Sequence, residues 1–263
     1  MPRPAAKILL PVLTGVLFLS LWYGVRAVMP PDLRFLLPAP EAIGRALLAN
    51  GPELARATLN TTEGATLGFL LAVTVSVFAA LGLSLSPLMR VSLYPYLMML
   101  QLMPVVVVAP ILVLWVGPGL KSVTVITFLI CFFPLVVNTT QGLVSTDRQL
   151  VELFRLYRAR RGQELRLLRI PAALPYFFTG LRIAATLAPI GALVGDYTAG
   201  SSAGNGGGLG FQAIIYSSQA KYPALFATAA ITCGLGFVFV AGVLVLSRFA
   251  LARWHEAPDR KDN

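Results

Sequence analysis

The residues of this sequence that could bind a charged partner are concentrated in one polar stretch, Asp147 to Pro175. This stretch holds seven of the chain's 21 basic residues, which are Arg148, Arg155, Arg158, Arg160, Arg161, Arg166 and Arg169. Its first half has apolar residues at i, i+3, i+4 and i+7, the spacing of one helix face, and these are Leu150, Leu153, Phe154 and Tyr157. The pattern predicts a short amphipathic helix that carries many positive charges.

A second apolar face follows in the same stretch, formed by Leu165, Leu168 and the flanking Leu167. Proline cannot continue a helix without losing a hydrogen bond, so we expect Pro171 and Pro175 to end this second helix. Two short amphipathic helices between apolar segments are typical of a docking surface outside the bilayer. The alternative is a solvated basic loop that only fixes the orientation of the chain in the membrane.

A second group of candidate residues is neutral, polar and placed inside apolar segments. Such groups could hydrogen-bond a passing solute without holding it tightly, and they are Gln101, Asn138, Thr139, Thr140, Gln141 and Thr186. The alternative is hydrogen bonding between helices, worth about 1 kcal/mol or less per pair. The acidic Asp196 lies at the far end of a later apolar segment.

Several kinds of chemistry are not supported by the sequence. It contains no HExxH, no GxSxG and no paired carboxylates deep in an apolar segment, which disfavours an intramembrane enzyme or a proton-coupled carrier. The run Gly204 to Gly210 lacks the Gly-Lys-Ser/Thr ending of a phosphate-binding loop. We therefore expect a flexible external loop there and no ATP hydrolysis by this chain. The two cysteines lie in apolar segments without metal-ligand spacing.

Composition places these residues in a polytopic membrane protein. The chain of 263 residues is 57% hydrophobic and 12% charged, with a mean hydropathy of +0.77, whereas soluble domains are about a quarter charged. The net charge of +10 comes from short intervals between apolar spans. That distribution indicates membrane topology and attraction to lipid, and it does not fit a nucleic-acid-binding domain.

Six apolar spans are predicted, and we expect an all-α fold. Their bounds are Ile8–Val28, Thr58–Leu85, Leu93–Val116, Ser122–Leu143, Tyr176–Thr198 and Pro223–Leu246. The first could instead be read as a signal peptide, but it is long for one. Pro104 and Pro110 should kink or break the third. A short turn is expected over Ser86–Ser92, a surface helix over Glu41–Leu48 and a Gly/Ser-rich outer loop over Ala199–Tyr222.

Basic residues predict the orientation of these spans. If both termini face the cytoplasm, the inner side carries 14 lysines and arginines, the outer side carries six, and Arg182 remains within a span, where we expect it to reach back to the interface. We therefore expect both termini and residues 147–175 to be cytoplasmic. The chain divides into residues 1–54 with the first span and an external segment, a membrane domain at 55–250, and a tail at 251–263.

At this point the sequence resembles a known family. Glu152 through Pro171, ELFRLYRARRGQELRLLRIP, resembles the cytoplasmic "EAA" loop of ATP-binding-cassette (ABC) importer permeases, with Glu152 on the acid of that motif and Ile170-Pro171 on its final Leu-Pro. Three further stretches resemble the nitrate, sulfonate and taurine branch: QLMPVVVVAPILVLWVG, FFPLVVNTTQGL and IPAALPYFFTGLRIAATLAPIGALVGDYTAG. The resemblance covers roughly residues 55 to 250. Permeases for riboflavin and thiamin-pyrimidine precursors are similar, so the solute does not follow.

The resemblance implies a fold, a mechanism and partners. The fold would be that of a type I ABC importer permease in the bacterial cytoplasmic membrane, paired with a second copy of the chain. Two copies of a cytoplasmic ATPase would use ATP and Mg²⁺, which this chain would not bind, and an external binding protein would deliver the solute. The loop would couple permease to ATPase through Glu152, Arg155, Arg158, Ala159, Arg160, Arg161 and Gly162. The pathway candidates are Gln101, Asn138, Thr139, Gln141 and Asp196.

The sequence also departs from the motif. Leu153 and Phe154 replace two small alanines, and Arg158 occupies the position of a glycine that can adopt a positive φ in a tight turn. Either the turn is built differently here, with Gly162, or the ATPase has a complementary groove. Arg160 and Arg161 could pair with acids on that partner. An ATP-independent channel or carrier is the alternative function.

Overall fold

The computed structural model describes residues 4–200 and 207–252, and this part of the chain is helical without a strand. The Gly204–Gly206 part of the glycine run and residues 253–263 of the predicted tail lie outside it. The helices are α1 (Pro4–Val28), α2 (Pro40–Ala49), α3 (Gly51–Leu85), α4 (Pro87–Gln101), α5 (Val105–Val116), α6 (Leu120–Val144), α7 (Arg148–Leu156), α8 (Arg161–Glu164), α9 (Ile170–Ala199), α10 (Leu209–Ser218) and α11 (Tyr222–Ala252). A 3₁₀ turn covers Pro31–Leu33, and a π-helical segment covers Leu165–Arg169.

Five of the described helices are long and apolar enough to cross a membrane, and the number is six when the bent pair α4–α5 is counted as one span. The predicted count of six agrees with the larger number. The helices extend beyond several predicted bounds, because α3 begins at Gly51 and α11 begins at Tyr222 and continues to Ala252. The predicted surface helix over Glu41–Leu48 is confirmed as α2.

The bundle is organised around α6, which packs between α3 and α9. Close approach depends on glycines: a Cβ on Gly68 of α3 would lie 2.5 Å from Thr127 of α6, and one on Gly195 of α9 would lie 2.7 Å from Val123. In lipid, helix association has no hydrophobic driving force and depends on close packing. Small residues make this packing possible because they let two helix backbones approach each other. The order of these contacts shows that α6 runs parallel to α3 and antiparallel to α9. Residues 145–169 thus lie at one end of the bundle, here called the loop end, and α10 lies at the other.

The third predicted span is broken, with a bend of 101° between α4 and α5. The break covers 102–104, and Pro104 is the N-cap of α5. The break lies at Pro104 and not at Pro110, which is inside α5. The turn expected over Ser86–Ser92 is wrong, because Pro87 already begins α4 and only Ser86 remains between the helices.

The prediction that Pro171 and Pro175 end a helix is also wrong. Both lie in the first turns of α9, with Pro171 in the first turn. The N–H of Ile170 donates to the carbonyl of Leu165 across the junction, and a π adjustment of this kind lets a membrane helix accommodate proline in its interior. The helical path thus continues from the π segment into α9.

The predicted outer loop is not loop throughout. Residues 209–218 form α10, whose Leu209, Gly210 and Tyr216 are buried. Leu209 and Tyr216 form an apolar cluster with Leu54 and Ala57 of α3. The described end of the glycine run, Gly207 to Gly210, is therefore packed against the bundle, which corrects the expectation of a flexible loop there.

Candidate functional site

The loop between α6 and α9 begins with a capped helix. The Asp147 carboxylate accepts a 2.8 Å hydrogen bond from the N–H of Gln149 at the start of α7, which satisfies one of the free donors of that helix end. Arg148 and Glu152 form an i,i+4 ion pair at 3.1 Å, with side chains 91% and 59% exposed. An exposed pair of this kind contributes little stability. Glu152, which aligns with the acidic residue of the EAA motif, is thus exposed at the surface.

The apolar face of α7 remains open to solvent in the single chain. Leu153 is 45% exposed, and Leu156 and Tyr157 are each 81% exposed, whereas Phe154 is half-buried. Leu156 was not part of the predicted face, because it lies one position outside the i, i+3, i+4, i+7 series. Exposed apolar residues on a short helix outside the spans indicate an interaction surface.

Arg158 forms the turn that follows α7. Its φ is +54°, its N–H donates to the carbonyl of Arg155 at 2.9 Å, and the N–H of Ala159 donates to the carbonyl of Phe154 at 3.0 Å. These two bonds define a Schellman motif, which usually has glycine at the left-handed position. The turn expected for the family's glycine is therefore present, with arginine in the strained position. Gly162 is not among the residues with a positive φ, so it does not supply this turn.

The rest of the loop is held by local polar contacts. The N–H of Arg160 donates to Oε1 of Gln163 at 2.8 Å at the start of α8. Arg169 donates to Glu164 at 2.5 and 2.7 Å, and these side chains are 23% and 13% exposed. Arg155, Arg160, Arg161 and Gly162 are exposed, and Ala159 is half-buried. The candidate coupling residues therefore share one surface at the loop end.

The polar residues predicted for the pathway are not gathered at one place. The Asn138 side chain donates to the carbonyl of Pro134 at 2.8 Å, and the buried Thr139 hydroxyl donates to the carbonyl of Leu135 at 2.7 Å. Both side chains therefore hydrogen-bond to backbone carbonyls of their own helix, α6. Gln141 is exposed near the end of α6, and Gln101 is exposed at the end of α4. Asp196 lies beside the opposite end of α6, about 22 Å along the helix axis from Asn138.

Asp196 belongs to a buried polar cluster. It is 4% exposed, and its Oδ2 accepts a 2.6 Å hydrogen bond from the hydroxyl of Thr61. The N–H of Gly210 also donates to this carboxylate, and the Thr61 hydroxyl accepts from the N–H of Leu209 at 2.8 Å. A cavity of about 90 Å³ adjoins the cluster and is also lined by Glu63. The contacts of Asp196 join α3, α9 and α10.

One candidate surface was not predicted from the sequence. The well-packed helix α9 has an exposed stripe through its middle, consisting of Thr179, Arg182, Ile183, Thr186 and Ile190. The helical spacing of Thr179, Arg182 and Thr186 could have indicated one face. Arg182 was instead treated alone, as a side chain that reaches back to the interface. In α9 it lies 12 residues after Ile170 and 17 before Ala199.

Comparisons with known proteins agree with this architecture. The chain is 34% identical over 221 residues to a probable ABC transporter permease protein of Haemophilus influenzae, covering 84% of this chain and 88% of that protein. It is 36% identical over 248 residues to the formylaminopyrimidine transport permease protein ThiX of Halalkalibacterium halodurans, covering 92% and 94%.

A solved structure shows the same fold. The protein described as an amino acid ABC transporter with histidines superimposes with a TM-score of 0.60 at 17% identity, over 79% of this chain and 96% of that one. Residues 72–257 match the family described as binding-protein-dependent transport system inner membrane component. The chain therefore belongs to this family, the multi-pass permease subunits of ABC importers.

Proposed function

We propose that two copies of this chain form the translocation pathway of an importer, and that a cytoplasmic ATPase drives it by docking on residues 147–169. An external binding protein would deliver the solute. ATP and Mg²⁺ would be bound by the ATPase, and none would be bound by this chain.

The observation that carries this proposal is the exposed apolar face of α7. Leu153, Leu156 and Tyr157 lie on a helix that is capped at its start and closed by a hydrogen-bonded turn at its end. A short, well-anchored helix transmits a rigid-body movement better than a flexible linker does. Arg158 and Arg160, which are exposed beyond its end, suit a partner surface with acidic side chains.

The exposed stripe of α9 supports the pathway part of the proposal. An arginine near the middle of a span costs about 2.5–3.5 kcal/mol when it faces lipid on insertion scales. Arg182 is exposed in the single chain, together with Thr179 and Thr186. We infer that this stripe faces the second copy or the water-filled pathway between the copies.

For the solute we propose a small heterocyclic vitamin or vitamin precursor. The support is the 36% identity to the formylaminopyrimidine permease over 92% of this chain. A small anion such as a sulfonate is the second candidate, and Arg182 on the α9 stripe favours it. The ligand that co-purifies with the binding protein, identified by mass spectrometry, distinguishes the two.

The docking proposal is tested by replacing Leu156 with Glu. A charge in the centre of an apolar interface should abolish co-purification of the ATPase. The matched control is Leu48→Glu on α2, since Leu48 is also 81% exposed but lies at the opposite end of the bundle. Retention of the ATPase by the Leu156 variant would overturn the proposal.

A second experiment separates this function from an ATP-independent channel or carrier. The complete complex in liposomes should import solute only with ATP, and solute-loaded binding protein should stimulate its ATPase activity. Solute movement by the permease alone, passively or along an ion gradient, would favour the alternative.

The proposed orientation places the loop end in the cytoplasm. In a background with Cys131 and Cys233 replaced by Ala, Ser218→Cys at the α10 end should react with an impermeant maleimide in intact cells. Ser145→Cys at the loop end should react only after permeabilisation. The reverse pattern would invert the topology.

A further inference from the structure

A basic cavity of about 350 Å³ opens at the loop end, between the α3–α4 junction and the loop before α9. Its charged lining consists of four arginines and one acid: Arg90, Arg155, Arg161, Arg169 and Glu164. These residues come from α4, α7, α8 and the π segment. The fold thus gathers side chains from distant parts of the sequence around one polar space.

The charges of this lining do not balance. Arg169 is paired with Glu164, and within residues 4–200 and 207–252 no ion pair is formed by Arg90, Arg155 or Arg161. The cavity therefore carries three uncompensated positive charges. Guanidinium groups bind phosphate oxygens through short, charge-assisted hydrogen bonds, so the ligand expected here is an anion.

An apolar groove of about 190 Å³ lies between α3, α6 and α9, towards the middle of the bundle. Its lining is almost entirely apolar and consists of Val77, Leu81, Thr139, Leu143, Ile170, Ala173, Leu174 and Phe177. On α3, Val77 and Leu81 of the groove continue at i+4 and i+7 spacing to Ser84 of the basic cavity. On the helical path into α9, Arg169 of the cavity is followed at i+4 by Ala173 of the groove. The two spaces therefore follow one seam of the bundle.

We propose that this seam binds an anionic phospholipid, with the headgroup phosphate among Arg90, Arg155 and Arg161 and an acyl chain in the groove. Charge complementarity selects an anionic headgroup, and basic pockets between membrane helices suit such headgroups. A free phosphate ion would leave the apolar groove empty, and so would an acidic protein surface. The seam lies beside the candidate coupling helix, so the lipid would brace the loop against α3 and α6.

The test uses the full-length chain in detergent, with lipid binding counted by native mass spectrometry. Phosphatidylglycerol should bind in preference to phosphatidylcholine of the same acyl chains. Arg90→Gln should weaken phosphatidylglycerol binding by about 10- to 100-fold, as expected for the loss of a hydrogen bond to a charged group. Arg248→Gln, an exposed arginine of α11 outside the seam, should weaken it by about fivefold at most, the effect of surface charge alone.

The groove is tested without changing charge. Val77→Phe should fill the groove and lower phosphatidylglycerol binding, whereas Val75→Phe, on an exposed face of α3 outside the groove, should not. Equal binding of the two lipids, or equal effects of Arg90→Gln and Arg248→Gln, would overturn the proposal. Displacement of phosphatidylglycerol by millimolar inorganic phosphate would assign the cavity to a free anion and would also overturn it.

Discussion

Thr61 and Asp196 lie 135 positions apart in the chain, and the Thr61 hydroxyl donates a 2.6 Å hydrogen bond to Oδ2 of Asp196. The same hydroxyl accepts the N–H of Leu209 at 2.8 Å. One buried side chain thus connects α3 to the end of α9 and to the start of α10. Asp196 was proposed as a pathway residue, and its contacts give it a structural role as well.

Replacing Thr61 with Val, which has nearly the same shape, should destabilise the protein by about 2–4 kcal/mol. The change leaves the buried Leu209 N–H without its partner, which costs about 1–3 kcal/mol, and it removes one of two donors to Asp196, whose hydrogen bond from the Gly210 N–H remains. Thermal unfolding in detergent measures the effect. Thr62→Val is the control, because the hydroxyl of Thr62 bonds to the Thr58 carbonyl of its own helix. Equal stability of the two variants would contradict a linking role for Thr61.

Gly208 is expected to tolerate no side chain. A Cβ at this position would lie 2.0 Å from Oδ2 of Asp196, whereas one on Gly234 of α11 has nothing within 4 Å. Gly208→Ala should therefore cost about 1–3 kcal/mol through overpacking, and Gly234→Ala should cost nothing measurable. The thermal unfolding midpoints of the two variants provide the comparison. A Gly208→Ala variant as stable as the parent would show that α10 can move away from Asp196.

Hydrophobic periodicity and proline positions predicted six spans, the break near Pro104 and the helix at the start of the polar stretch. The same patterns gave wrong helix ends where tertiary contacts determine whether a helix continues. Pro171 and Pro175 lie inside one helical path from Arg161 to Ala199, because the π segment precedes Pro171 and burial of Ala173 and Phe178 against the bundle favours continuation. From sequence alone, a proline inside a helix and one that ends a helix look alike.

The glycine run shows a similar limit. Its composition favoured a flexible loop, yet Gly208 and Gly210 are needed because the chain passes directly against Asp196. That requirement depends on a residue of another helix, so no local pattern could reveal it. The α9 stripe had a local signal in the helical spacing of Thr179, Arg182 and Thr186, but whether that face stays exposed depends on where α6 packs.

Replacing Arg158 with glycine should stabilise the turn after α7. Its φ of +54° costs a residue with a Cβ roughly 1–2 kcal/mol, which glycine does not pay. Arg158→Gly should slow hydrogen–deuterium exchange of the peptide that contains Ala159, because the Schellman bonds open less often. Gly162→Ala should leave exchange unchanged, since its Cβ would enter open space. Faster exchange in Arg158→Gly would mean that the arginine side chain itself holds the turn.

Tyr216 should make stability depend on pH in the alkaline range. Burial and the hydrogen bond from its hydroxyl to Glu53, at 3.1 Å, raise its pKa from 10.0 to about 12. Because the folded state holds this proton more tightly, the stabilisation is complete below pH 10 and is lost as the pH rises towards 12. Between pH 8 and 12 the thermal unfolding midpoint should therefore fall more steeply in the parent protein than in Tyr216→Phe. Parallel curves would show that Tyr216 ionises as easily in the folded as in the unfolded chain.

The α9 stripe should be reachable from water. In the background with Cys131 and Cys233 replaced by Ala, Thr186→Cys should react with a small charged thiol reagent, because a pathway between two copies contains water. Val75→Cys, on a face of α3 that we expect to contact lipid, should react much more slowly. Arg182→Ala should lower transport by about tenfold or more while the ATPase still co-purifies, and Arg248→Ala should not. If Thr186→Cys is as unreactive as Val75→Cys, the stripe faces lipid or is closed by the partner, and Arg182 does not line the pathway.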